Sequence, residues 1–438
     1  MNLAPLIEIV TLRAGFNTNL VIVGAALLGT ASGVVGSFAL LRKRALVTDA
    51  LSHAMLPGIA AAFLLAAAFG GKGRSVLVLS IGAAATAVLA VLTIQAIVRY
   101  TRLHADAAVA TTLGVFFGAG VVGLSVVQNE AASGSGGING FLFGQAATMT
   151  PSEVRSMAAI AAVSIFAVLL FQKELAAVGF DDGFVRATGW PVGTIDLVGM
   201  AAIVLVTVAG TQAVGVVLVI ALVVIPPAAA RFWTDRLTVL LAASGGIGAA
   251  SGVAGAAISS TAPGLPAGSI IVLTAAALFA ISLLVAPRRG LLAVAVRRIV
   301  LRIRTARDHL LEAAHEHAAA SPDRAPLLPH ASVRTLARLR GWSPLHRRVV
   351  IASLRRRGLV DAVTREGITL SQLGRERGAR IARNHALWEQ YLVSHADIAP
   401  SHVDWSVDQV EHVLSPELVD RLERELGLTR RAQAGAAS

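Results

Sequence analysis

Nine apolar stretches, separated by short polar breaks, recur along the first 286 residues and then stop. They lie near 20–41, 50–69, 76–98, 107–127, 156–171, 195–209, 214–230, 237–257 and 268–286. A helix needs about 20 apolar residues to cross about 30 Å of hydrocarbon. Most of these stretches meet that length, the fifth and sixth being the shortest. The pattern predicts an all-α polytopic membrane domain of eight or nine transmembrane helices over residues 1–290. Beyond it the apolar positions take helical spacing among many charges, the mark of a domain that folds in water.

Composition sharpens this division. The chain of 438 residues is 55% hydrophobic and 15% charged, with a mean hydropathy of +0.70. Residues 1–289 hold 15 Lys+Arg and 10 Asp+Glu, and the remaining 149 residues hold 23 and 16. The net charge of +12 suits cytoplasmic loops of a membrane protein as well as it suits nucleic acid. The absence of cysteine excludes disulfides, thiolate metal sites and cysteine nucleophiles. Glu8 and Arg13 near the start suggest an interfacial helix or tail rather than a removed signal peptide.

With nine spans and the C-terminus in the cytoplasm, inside loops hold Arg42, Lys43, Arg44, Arg99, Arg102, Lys173, Arg186, Arg231 and Arg236. Outside segments hold only Arg13, Lys72, Arg74 and Arg155. This satisfies the positive-inside bias and predicts a multi-pass protein of the cytoplasmic membrane. Gly245, Gly246, Gly248, Gly252 and Gly255 in one span are read as packing glycines. Pro226 and Pro227 are expected to end or kink their helix. The glycine-rich stretch 133–140 is expected to be an outside loop.

The chemistry concentrates at Asp49 and His53, four residues apart and therefore on one helical face. A carboxylate beside an imidazole suits a divalent transition metal. Ionisable groups inside lipid are costly and mark pathways. The plainer alternative is an Asp49 helix cap and a His53 hydrogen-bonded to a neighbour. No GxxxxGK[ST] phosphate loop occurs, and no HExxH motif supports a metalloprotease.

The run RKRALVTDALSHAMLPG resembles a signature of the zinc/manganese/iron permeases of ATP-binding-cassette importers. VGVVLVIALVVIPPAAA and LPAGSIIVLTAAALFAISLL resemble further parts of that family. The resemblance covers roughly residues 15–290. It implies a permease, not an enzyme, with Asp49 and His53 binding the ion on its path. Where the family often carries an acidic residue near its last span, this chain has Gly264. The segment VGFDDGFVRATGWPVGT, with Asp181, Asp182, Arg186 and Gly189, resembles the loop helix that touches the ATPase; an ordinary solvated connection is the alternative. Implied partners are a separate ATPase, an extracytoplasmic solute-binding protein and a second permease chain. No tightly bound cofactor is implied; Mn²⁺, Fe²⁺ or Zn²⁺ is the substrate and a possible regulatory ligand.

From Arg288 to Arg307 seven arginines accompany Leu292, Val296, Ile299, Ile303 and Leu310 at near-helical spacing. Residues 291–330 are expected to be a basic amphipathic helix on anionic lipid, at 288–307, followed by a proline-rich linker. Residues 331–375 suggest a winged helix-turn-helix, in which Arg347, Arg348, Arg355, Arg356 and Arg357 contact DNA phosphates or remain solvated. Residues 376–428 suggest helices carrying His385 and Glu389 on one face, and Asp408, Glu411 and His412 on another. Residues 429–438 are a tail.

This part resembles the metal-dependent repressors of the diphtheria-toxin-repressor and manganese-repressor type, over roughly residues 307–428. The resemblance implies a helical metal-binding and dimerisation region using His385, Glu389, Asp408, Glu411 and His412, with Asp308 as a carboxylate from the first helix. Leu311 and Asp404 stand where members of that family have further ligands. The combined expectation is a metal-importer permease with a metal-sensing domain. The alternative is a membrane-tethered, metal-responsive transcription regulator.

Overall fold

A computed structural model describes residues 15–42, 45–69, 76–130, 149–262, 265–320, 327–395 and 416–425. By internal contacts the chain divides into two units, 1–294 and 295–438.

In the first unit the apolar stretches are helices α1 (Phe16–Leu41), α2 (Ala45–Ala68), α3 (Val76–Tyr100), α4 (Ala105–Glu130) and α5 (Pro151–Leu170). Two short helices follow, α6 (Gln172–Phe180) and α7 (Asp182–Ala187). Then come α8 (Val192–Val214), α9 (Val216–Arg231), α10 (Leu237–Ser259) and α11 (Ala267–Val285). Eight of these are long and apolar enough to cross a membrane. The fifth and sixth spans, expected to be short, have 20 and 23 residues. The short one is α9, whose 16 residues extend only about 24 Å. It is set off from α8 by Gly215 at φ 87°, a backbone state glycine adopts without strain.

Helix α1 is the central post, packed along α10 and also against α5, α8 and α9. In lipid no water drives helices together, so close contact must come from small side chains. Gly29 and Gly33 on α1 face Gly248 and Ser244 on α10 so closely that a Cβ on either would meet the opposing carbonyl. Gly252 meets Ala25 in the same way. The buried hydroxyls of Ser37, Ser244 and Ser251 donate to carbonyls one turn back, at 2.8, 2.6 and 2.7 Å. This satisfies them without a partner helix. A second cluster brings α2 against α3 and α4.

Pro226 and Pro227 do not end α9, which continues to Arg231. Pro227 supplies no N–H to the carbonyl of Val223, and a Cβ on Gly36 of α1 would meet that carbonyl.

In the second unit, α12 (Leu291–Ala320) contributes Ala306, Leu310, Leu311 and Ala314 to a separate core. Within the expected linker, Leu327–Pro329 is strand β1, and His330 begins α13 (His330–Leu339). A turn at Gly341, φ 64°, leads to α14 (Pro344–Arg356), capped by Ser343 accepting from the His346 N–H at 3.1 Å. Strands β2 (Val360–Val363) and β3 (Gly367–Leu370) follow, and the antiparallel order is β1-β3-β2. Helices α15 (Gln372–His395) and α16 (Pro416–Glu425) complete it.

Gly248→Val is expected to overpack α1 against α10, destabilising by about 1–3 kcal/mol or more, seen as a lower thermal midpoint in detergent. Gly246→Val, with nothing within 4 Å of the added carbon, should leave that midpoint nearly unchanged.

Candidate functional site

Asp49 and His53 lie in the first turns of α2, held by the buried neighbours Val47, Thr48, Ala50, Leu51 and Ser52. The His53 Nε2 is 3.4 Å from Asp49 Oδ1, and the side chains are 26% and 37% exposed. The His53 ring stands edge-on to Phe117 of α4, at 5.2 Å between centroids. Its Nδ1 is buried without a hydrogen-bond partner among the described residues. A buried imidazole nitrogen without a partner is costly. With the carboxylate beside the other nitrogen, the pair has a donor set that an incoming cation would complete. The alternative of Asp49 as a helix cap finds no support: it sits inside the helix, on the face of His53.

At one end of α1, Arg42 donates to the Val178 carbonyl at 2.6 Å and to Asp196 Oδ1 at 2.9 Å. The two charged side chains are 15% and 16% exposed. This bridge ties α1 to α6 and α8, framing the segment that carries Asp181, Asp182, Arg186 and Gly189. Asp181 caps α7 by accepting from the Phe184 N–H at 2.9 Å. Asp182 and Arg186 pair at 3.4 Å on the surface, and Gly189 turns the chain at φ 85°. Phe180, Phe184 and Trp190 are exposed around them. An apolar groove of about 510 Å³ runs between Lys173, Phe184, Val185, Thr188, Trp190 and Ile195. A second cavity, of about 620 Å³, includes Arg42, Arg99, Asp182, Arg186 and Asp196. Sequence reasoning missed the role of Arg42 and did not single out Asp196, although a lone carboxylate at the head of an apolar run was a visible signal.

In the second unit Arg307, Asp308, His309 and Glu312 are all buried on α12. His385 Nδ1 is 3.2 Å from Glu312 Oε1, and His309 Nδ1 is 3.8 Å from Glu312 Oε2. Asp308 lies 3.6 Å from Arg377. Glu312, one turn further along the same face of α12, is a carboxylate that reaches His385 and that spacing alone did not single out. Burial and the neighbouring Glu312 raise the Glu316 carboxyl above its ordinary pKa, opposed by His385 and His315. Nothing described joins Glu389 to this pair. Asp404, Asp408, Glu411 and His412 lie outside the described residues, as do Glu8, Arg13, Lys43, Arg44, Lys72, Arg74, 133–140 and Gly264. Among the described residues no group of three metal-ligating side chains forms. The fit to a metal is therefore partial: one oxygen and one nitrogen donor of suitable chemistry, together, Glu312 buried and His385 half-buried. Arg348, Arg355, Arg356 and Arg357 are exposed on or just beyond α14, and Arg347 is half-buried.

Residues 17–286 match the family model described as the ABC 3 transport family. Residues 371–436 match the model described as iron dependent repressor, metal binding and dimerisation domain. The chain is 34% identical over 409 residues to the manganese transport system membrane protein MntC of Bacillus subtilis, covering 93% of this chain and 90% of that one. It is 40% identical over 272 residues to the zinc transport system membrane protein TroC of Treponema pallidum, covering 62% and 90%. Among solved structures it resembles PsaBC from Streptococcus pneumoniae in complex with Fab, at 29% identity and a TM-score of 0.55, covering 66% of this chain and 98% of that chain.

Replacing either partner of the Arg42–Asp196 bridge leaves a poorly solvated charge. Arg42→Ala and Asp196→Ala should each destabilise by about 3 kcal/mol. In thermal unfolding of the purified protein the double variant should lose much less than the sum of the two.

Proposed function

The chain belongs to the ABC 3 transport family, and from that premise we propose that it imports a divalent transition-metal cation, manganese foremost, then iron or zinc. The observation that carries this reading is the Asp49–His53 pair, with one imidazole nitrogen left bare in an apolar setting. Asp49 and His53 supply one oxygen and one nitrogen ligand, few enough that the ion is released again, as conduction requires. A second permease chain supplies the other wall of the path, and a solute-binding protein delivers the ion from outside.

A separate ATPase docks on the α6–α7 segment. The exposed Phe184 and Trp190 beside the capped turn at Asp181 and the Asp182–Arg186 pair offer an apolar anchor with a polar rim. The arginine bias of the loops favours a cytoplasmic side for this segment and the second unit. Leu292, Val296 and Ile299 are exposed on α12 between arginines, five residues beyond α11. They suit an anionic lipid surface.

Residues 376–428 act as a metal sensor, with Glu312 joining His385, Glu389, Asp408, Glu411 and His412. Metal would bind one transport state more tightly than the other and so damp uptake. A bound divalent ion would supply charge there; the protein's part is to hold Glu312 and His385 together inside the fold. A second reading, a membrane-tethered winged-helix regulator that binds DNA, draws on the α13–turn–α14 arrangement followed by a hairpin, with Arg348 and Arg355–Arg357 exposed. Metal-dependent DNA binding by the full-length protein would favour it.

Metal accumulation in cells expressing the chain with its ATPase tests the transport reading. Asp49→Ala and His53→Ala should each lower uptake at least about tenfold, the loss typical of a damaged metal site; unchanged uptake in both would overturn it. In loaded vesicles, alanine at His385, Glu389, Asp408, Glu411 and His412 should abolish the slowing of uptake by internal Mn²⁺. Slowing that persists in that variant refutes the sensor.

A further inference from the structure

The second unit contains a cavity of about 700 Å³ that none of the roles above uses. Arg302, Thr305 and His309 of α12 form one wall, and Arg340, Trp342 and His346, from the α13–α14 turn and the start of α14, form the other. No carboxylate is among the residues that line it. Its volume falls within the range of small-molecule sites, about 300–1,000 Å³. The Trp342 and His346 rings meet edge to face at 5.8 Å, so one side of the cavity is aromatic. Trp342 also packs against the core of the unit, and the His309 side chain is 7% exposed.

The cavity sits in an excess of positive charge. Arg307, next along α12 from the lining residue Ala306, is 6% exposed, and its pKa is lowered, first by burial and then by Arg357, with Arg377 and Arg304 adding to the effect against Asp308. The helix end contributes little: Pro344 has no N–H, and the N–H of His346 already binds Ser343. Recognition must therefore come from side chains. Two guanidinium groups match phosphate oxygens, and an indole beside an imidazole matches a planar ring.

We propose that this cavity is a binding site for a nucleotide, with Arg302 and Arg340 holding the phosphates and Trp342 and His346 flanking the base. The chain has no phosphate-binding loop of the GxxxxGK[ST] type. Nucleotide bound by the purified permease alone thus reports on this cavity and is independent of ATP hydrolysis by a partner. The second unit would sense a phosphorylated metabolite as well as metal.

The test is calorimetric titration of the full-length protein, in lipid nanodiscs and free of ATPase, with ATP, AMP and inorganic phosphate. Saturable one-to-one binding of ATP or AMP is expected, tighter than that of inorganic phosphate. Arg302→Gln and Arg340→Gln should each raise Kd about tenfold, and Trp342→Leu should weaken nucleotide but not phosphate. These substitutions are at exposed or half-buried positions, and the thermal midpoint of each variant checks folding. Three results would overturn the proposal. One is no nucleotide binding, and another is nucleotide binding indifferent to both arginines. The third is displacement of nucleotide by random-sequence duplex DNA with the same arginine dependence, which would make the cavity a nucleic-acid backbone contact.

Discussion

A charge removed from water must find a partner, and the polar design of both units follows from that constraint. In the membrane unit it has three outcomes. Arg42 and Asp196 satisfy one another and the Val178 carbonyl, and so act as a fixed clasp. Ser37, Ser244 and Ser251 are satisfied by carbonyls within their own helices. Asp49 and His53 are only half satisfied, with a carboxylate part-exposed and an imidazole nitrogen bare.

The same constraint shapes the second unit in water. Arg307, Asp308, His309 and Glu312 are successive polar positions on a helix that is otherwise part of an apolar core. Asp308 is matched by Arg377, and Glu312 by two histidines. Positive charge predominates on the side toward α13 and α14, and carboxylates on the side toward α15.

Close backbone approach supplies the rigidity that this chemistry needs. Where α1 meets α10 the interface is glycine against carbonyl, so small displacements produce overlap rather than gradual loosening. The clasp at Arg42 is anchored on that rigid helix. The segment of Asp181 and Asp182, by contrast, carries one side-chain cap and a surface ion pair.

The apolar runs were enough to establish a polytopic helical unit followed by a charged one, since hydrocarbon thickness sets a length that the sequence either meets or does not. The DALSHA spacing likewise placed Asp49 and His53 on one face. Local rules failed where the answer depended on a neighbour. Pro226 and Pro227 did not end α9, which runs on to Arg231. The 327–329 segment became a strand because Gly367–Leu370 was there to pair with it. Tertiary structure alone joined Arg42 to Asp196 across 154 positions and brought Glu312 to His385. Periodicity says which residues share a face, but only packing decides what that face meets.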